Sequence, residues 1–216
     1  MAIVIRLYKI SDRPAVRRIC SDTADLGKPV ENFFSDREIF ADFLTGYYTD
    51  YEPQALWVAE SDTTAAGYLS GCLDNRRYAR VMFGKVIPGV FIRAALRGVF
   101  WRKDIWHILT ALFKSYLIGG FNRKKYLGLY PAHLHINLAA DFRHQGLGNM
   151  LMERFLTQAG QANIPGVQAA VCQDNQPACD FFRQSGFSVL GSYPMVRPKG
   201  KKSLQLTHTL VYGVKL

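Results

Sequence analysis

The stretch whose reading decides the fold is Arg143-His144-Gln145-Gly146-Leu147-Gly148. It lies between an alternating apolar run, His133 to Leu138, and an amphipathic run, Leu147 to Ala162. Alternation with period two reads as a strand, and apolar spacing of three to four reads as a helix. A strand that turns through glycines into a helix leaves several backbone N–H groups free at the helix start. Together with the positive end of the helix dipole, they make a site for a phosphate or pyrophosphate. On this reading Gly146 and Gly148 matter because a Cβ there would keep the ligand off the backbone. A glycine pair before a helix also occurs with no ligand at all. The pattern is not the dinucleotide fingerprint, having two glycines rather than three and no first βα unit followed by an acid. It is not a P-loop either, since no Lys-Ser/Thr follows.

Working outward, Ala2 to Tyr8 reads as a strand. Ser11-Asp12 offers a cap for a helix from Pro14 through Cys20. Ser35 caps a second helix carrying Ile39, Phe40, Phe43 and Leu44, which Gly46 ends, and Tyr47-Tyr48-Thr49-Asp50-Tyr51 follows as an aromatic loop. Ala55 to Glu60 and Ala65 to Leu73 form an antiparallel hairpin across Ser61-Asp62-Thr63-Thr64. Val90 to Phe100 and Asp104 to Leu117 carry helical periodicity. Past the glycine turn and its helix come a strand from Val167 to Cys172 and a helix from Gln176 to Gln184. A strand from Phe187 to Tyr193, a basic turn from Pro198 to Lys202 and a last strand from Leu204 to Val214 close the chain. The order is β-α-α-β-β-(insert)-β-α-β-α-β-β, an α/β domain with a mixed central sheet flanked by helices. The 216 residues fit a single domain, with a basic helical insertion at about 76–130 before the fourth strand.

The net charge of +10 is concentrated. Between Arg76 and Tyr130 stand twelve Lys or Arg and a single acid, Asp104, so the rest of the chain is close to neutral. No run of apolar residues is long enough to span a bilayer; Ile105 to Gly120 is broken by His107 and Lys114. The opening segment carries Arg6 and Lys9 and no cleavage-like site, so it reads as a strand and not a signal peptide. Cys20, Cys72, Cys172 and Cys179 form no Cys-x-x-Cys pair and read as reduced thiols of a cytoplasmic protein.

Two motifs together resemble the GCN5-related N-acetyltransferase (GNAT) family. The first, apolar-x-apolar-x-Pro-x-x-Arg/Gln-x-x-Gly-x-Gly/Ala, is matched by Ile136, Leu138, Arg143, Gly146 and Gly148, with Ala140 where proline is usual and His144 where glycine is common. The second, Asn-x-x-Ala-x-x-Phe-Tyr-x-x-x-Gly-Phe, is matched by Asn175, Ala178, Phe181, Gly186 and Phe187, with Phe182 in place of the tyrosine. Ile5-Arg6 through Asp12, Ile19-Cys20, Gly67-Tyr68, Asp74 and Tyr130 to Ile136 look like one branch. It is related to the acetyltransferase-like C-terminal domain of O-GlcNAcase and its free-standing bacterial relatives. The resemblance implies a GNAT-like fold and acetyl-CoA as cosubstrate. The pyrophosphate would lie on the amides of Arg143, His144, Gln145, Gly146, Leu147, Gly148 and Asn149. The pantetheine arm would pair with the strand edge at Leu138 and Ala139 as an added strand. Asn175 would hydrogen-bond the arm, and Ala178 with Phe182 would line the thioester end. Gly146 and Gly148 equally suit plain helix entry, and Asn175 a plain N-cap.

In such a reaction an amine attacks the thioester directly, and the backbone N–H near Leu138 is the implied oxyanion donor. Strand alternation puts His133, His135 and Asn137 on one face and Leu134, Ile136 and Leu138 on the other. His135 is the candidate base, directly or through water. The alternative is that both histidines are hydrogen-bonded structural groups. Two histidines at i, i+2 lack further ligands, so no metal is expected. Phe182 cannot protonate the leaving thiolate as the family tyrosine does. Water or Tyr193 would then substitute, or the chain is an acetyl-CoA-binding module without turnover. The amine acceptor would sit among Tyr47, Tyr48, Tyr51, Asp74, Asn137 and the His133–His135 face; the tyrosines equally suit core or loop packing.

In the basic segment Arg93, Arg97, Arg102, Lys103, Lys114 and Arg123-Lys124-Lys125 interleave with Phe91, Phe100, Trp101, Trp106, Phe113, Tyr116 and Tyr126. Three readings stand: a helical cap with solvated charges, a lid selecting an anionic substrate, and a surface for anionic lipid. No nucleic-acid motif is present.

Overall fold

The computed structural model describes residues 3–120 and 126–216. Among these, seven strands form one sheet in the order β1-β2-β3-β4-β5-β7-β6. The strands are β1 (Ile3–Leu7), β2 (Leu56–Ser61), β3 (Thr64–Cys72), β4 (Ala132–Leu138), β5 (Gly166–Cys172), β6 (Ser188–Lys199) and β7 (Ser203–Lys215). β4 and β5 run parallel, and every other neighbouring pair is antiparallel. The helices are α1 (Arg13–Asp22), α2 (Arg37–Asp50), α3 (Asn75–Val81), α4 (Ile87–Leu96), α5 (Lys103–Leu117), α6 (Leu147–Gln161) and α7 (Gln176–Gln184). A π-helical stretch, Met82–Val86, joins α3 to α4. This is the mixed α/β order expected from the sequence. Ala2 and the Arg123-Lys124-Lys125 cluster lie outside the described residues.

The sheet is apolar on both faces, so each face needs its own helix layer. On one side Leu147, Leu151, Met152 and Phe155 of α6 and Cys179 and Phe182 of α7 pack on Leu69, Leu134, Val167 and Tyr212. On the other, Val16, Ile19 and Cys20 of α1 and Tyr47 and Tyr48 of α2 pack on Leu56, Val58, Tyr68 and Cys72. Val30, Phe34, Ile39, Ala94 and Val99 form a smaller cluster that joins α4 to α2. Phe155 is fully buried, and its truncation to Ala would cost about 3–5 kcal/mol.

The structure corrects several expected boundaries. The α2 cap is Asp36, whose carboxylate accepts from the Ile39 N–H at 3.1 Å; Ser35 instead donates its backbone N–H to Asp104 at 2.7 Å. Asp12 occupies the N-cap position of α1, but its carboxylate makes no capping bond there. It accepts from the Lys9 N–H at 2.8 Å and pairs with Arg6 at 2.7 Å. Gly46 does not end α2, and residues 47–50 are helix rather than loop. A mid-helix glycine costs about 1 kcal/mol, less than is gained by burying two tyrosine rings. Tyr47 and Tyr48 are buried here in edge-to-face contact at 5.3 Å. The basic turn is shorter than expected, because β6 and β7 extend to Lys199 and Ser203. Pro194 and Pro198 sit within β6 without penalty, since β6 is the edge strand.

Candidate active site

β4 and β5 stay together for only two residue pairs, Ala132 with Val167 and His133 with Gln168. Beyond them the strands part. On its other side β4 remains paired with β3 to its end, and the Ala139 N–H donates to Ala66 O at 2.9 Å. Antiparallel alternation then turns the amides of His135, Asn137 and Ala139 toward β3, and those of Ile136 and Leu138 toward the gap. The gap opens into a cleft of about 970 Å³ bordered by Leu134 to Leu138, Ala169 to Cys172, the start of α6 and α7.

At the head of α6, His144 and Gly146 both have positive φ, 61° and 80°. Gly146 takes the N-cap position and offers no side chain to the first-turn amides. The first helical bond among these residues is Met150 N–H to Gly146 O, so the amides of Leu147, Gly148 and Asn149 have no partner within the helix. The two glycines answer to different needs of the fold, and neither is the ligand approach expected from the sequence. A Cβ on Gly146 would meet open space, so it is the backbone conformation that demands glycine there. A Cβ on Gly148 would lie 2.9 Å from Phe181 Cε2, so that glycine lets α6 and α7 approach. The Leu147 side chain belongs to the core, leaving only its backbone to face a ligand. Gln145 is exposed and bonds Asp141 O at 2.8 Å. Arg143 donates to Leu138 O at 3.2 Å and to Gly27 O at 3.3 Å, tying the loop after α1 to the end of β4.

Asn175 caps α7: its side-chain oxygen accepts from the Ala178 N–H at 3.3 Å, and the amide NH2 group takes no part in that cap. Ala178 and Phe182 line the cleft. Phe182 is nonetheless buried, stacked on Tyr212 at 5.7 Å and edge-on to Phe187 at 5.2 Å. Burial, with Cys179 beside it, pushes the Tyr212 hydroxyl up to about 12. Tyr193, the other hydroxyl considered for the thiolate, packs with Tyr126, Tyr130 and Val211 and does not border the cleft.

His135 and Asn137 border the cleft from β4. His135 is exposed and Asn137 is half-buried. The Asn137 amide accepts from Thr23 Oγ1 at 3.0 Å and donates to the Tyr68 hydroxyl at 2.9 Å. Burial raises the Tyr68 and Cys20 groups behind it, the thiol to about 11, so this end of the cleft is neutral and hydrogen-bonded. His133 is buried, with Nδ1 2.6 Å from Asn75 Oδ1 and Nε2 2.7 Å from the Tyr48 hydroxyl. The Asn75 amide nitrogen donates to Pro131 O at 2.6 Å, which fixes its oxygen toward His133. Nδ1 therefore carries a proton, donated to Asn75. Tyr47 donates to the buried Glu52 carboxylate at 2.7 Å. Asp74 caps α3 through Arg76 N–H at 2.8 Å, and the Tyr51 ring lies under Lys85 Nζ.

Of the residues expected around the acceptor, the cleft gathers His135 and Asn137. Tyr48 and His133 stand behind them, and Tyr47, Tyr51 and Asp74 stand apart. The lip formed by Thr23, Ala24, Leu26 and Gly27 escaped the sequence reading. Its signal was Leu26-Gly27, both at positive φ directly after α1. No described residue between Arg76 and Gly120 borders the cleft.

A family model described as Acetyltransferase (GNAT) family matches residues 27–187. Among solved structures, SsHAT superposes with a TM-score of 0.73 at 24% identity, covering 100% of this chain and 98% of its own. A GCN5-related N-acetyltransferase from Kribbella flavida gives 0.59 at 18% identity over 100% and 98%. The yncA protein from Salmonella typhimurium, solved with its cofactor acetyl-CoA, gives 0.58 at 14% identity over 100% and 95%. At these identities the likeness is one of fold.

Proposed function

The chain belongs to the acetyltransferase (GNAT) family, and on that premise we propose that it moves an acetyl group from acetyl-CoA to an amine by direct attack on the thioester. The observation that carries this is a single cleft holding both the edge of β4 that β5 leaves after His133 and the uncapped start of α6. An extended arm needs the first and a diphosphate needs the second. The reading takes the chain as one domain of the branch that the Tyr130 to Ile136 stretch resembles.

The amides of Leu147, Gly148 and Asn149 would hold the diphosphate, with His144 and Gly146 shaping the turn. Asn175 would donate to the arm, and Ala178 and Phe182 would bound the thioester end. The Leu138 N–H faces the gap as the oxyanion donor, a contribution of about 3 kcal/mol where such donors have been removed. His135 is the proposed base, acting directly or through water on a proton of the amine. Asn137 and Thr23 would border the acceptor, and Tyr48 with His133 would position His135 from behind. Its ring lies 6.0 Å from Tyr48 and 5.7 Å from His133. His135→Gln should lower kcat and flatten the acid limb of the pH–rate profile while leaving acetyl-CoA affinity intact. An unchanged profile would remove His135 from the mechanism.

Phe182 favours a second reading, a module that binds acetyl-CoA without turnover. General acid help is worth about 10²–10⁴-fold, and a phenyl ring cannot give it. A thermal shift with acetyl-CoA tests binding, and release of free thiol across a panel of amines tests transfer. Stabilisation without thiol release supports the module; no stabilisation contradicts both readings.

A further inference from the structure

The geometry points to the α4–α5 face as a surface that docks on anionic phospholipid bilayers. α5 turns Ala111 and Ser115 inward against β6, where Ser115 Oγ accepts from the Val196 N–H at 2.9 Å. The opposite side should then be polar. It carries instead Trp106, Phe113, Tyr116 and Leu117, all exposed, Tyr116 by 72%. α4 repeats the pattern: Ala94 points inward, while Ile92 and Leu96 point outward, Leu96 by 83%. Trp101, in the turn between the two helices, is 92% exposed. Isolated exposed apolar residues need no explanation, but two neighbouring helices with apolar outer sides do.

Charge chooses the occupant. Exposed Arg76, Arg80, Lys85, Lys103 and Lys114 belong to the same segment, without which the chain would be close to neutral. Arg93, Arg97 and Arg102 are occupied in fastening the segment to Asp42 and Asp36 of the α2 region. A second copy would bring like charge against like charge. An anionic bilayer offers lipid tails for the apolar side and phosphates for the lysines, with tryptophan and tyrosine at the headgroup level. No described helix is long and apolar enough to cross a membrane, so the contact is one of docking on the surface. This surface is separate from the cleft, and its test is independent of acetyl transfer.

The full chain would be mixed with vesicles of phosphatidylcholine alone or with phosphatidylglycerol added, at low and physiological salt, and sedimented. Trp101 and Trp106 give an internal readout, because the third tryptophan, Trp57, is held in the sheet by Gln158 at 2.9 Å. We expect co-sedimentation with the anionic vesicles only, a blue shift in emission, and weakening by salt. The triple variant Leu96→Ser, Phe113→Ser, Leu117→Ser should partition roughly tenfold less, and Lys103→Glu with Lys114→Glu similarly. Both should keep the wild-type melting temperature. Absence of binding to anionic vesicles at low salt overturns the inference, as does unchanged partition of the triple variant. Self-association that buries the two tryptophans would give the surface to a second copy and overturn it too.

Discussion

His144 and Gly146 share the left-handed backbone region two residues apart, yet only one is a glycine. A non-glycine residue there costs roughly 1–2 kcal/mol, and glycine returns about 0.4–1 kcal/mol of that through unfolded-chain entropy. His144→Gly should therefore stabilise the fold by about 0.5 kcal/mol in urea denaturation, and a clear loss would mean the imidazole makes a contact of its own. Gly146→Ala should destabilise by about 1–2 kcal/mol and weaken acetyl-CoA binding by calorimetry. Phe182→Tyr should leave acetyl-CoA affinity unchanged and raise thiol release; a large loss of affinity would mean the thioester end lies elsewhere. The glycine turn was legible because few residues tolerate positive φ. The roles of the tyrosines were not. Tyr47 and Tyr48 suit a loop, a helix or a core equally, and only the packed structure puts the Tyr48 hydroxyl on His133.

The element whose attachment most needs explaining is the basic segment between β3 and β4, and Asp36 is its main fastening. It caps α2 and receives Arg97 at 3.0 Å and Arg102 at 3.3 Å. Burial alone would raise this carboxyl; the Arg97 guanidinium and the Ile39 N–H outweigh burial and hold it below the usual carboxylate range. A carboxyl lowered on folding stabilises fully above its unfolded value of about 3.9 and loses that contribution as pH falls through the folded value. Asp36→Asn keeps the cap and loses the ion pairs. Both arginines are substantially exposed, so about 1 kcal/mol is expected; Asp36→Ala should cost about 2 kcal/mol. Stability of the Asn variant should also fall less steeply than wild type below pH 4 or so. Equal slopes would show that Asp36 is not the fastening. Strands and the two helices after β4 were legible to within a residue or two, because alternation and caps are local signals. The C-terminal ends of α2 and β6 were not, because burial of Tyr47 and Tyr48 and the edge position of β6 override glycine and proline as breakers.

At the scale of the molecule, one sheet separates two helix layers, and the cleft and the positive charge occupy different places on it. The cleft lies where β4 leaves β5, a consequence of long-range pairing that no local pattern encodes. The positive charge lies on the segment between β3 and β4, no described residue of which borders the cleft. Its count was legible from composition, but its outward-facing aromatics became visible only once Ala111 and Ser115 were seen against β6. The proposed transfer requires the main-chain groups of β4 and α6 to grip one cosubstrate. Calorimetry with acetyl-CoA, set beside acetyl-pantetheine that lacks the diphosphate, tests it most directly. Saturable one-to-one binding of acetyl-CoA, with affinity falling sharply when the diphosphate is absent, is the expected result. No heat at millimolar acetyl-CoA, or equal affinity for the two molecules, would contradict it.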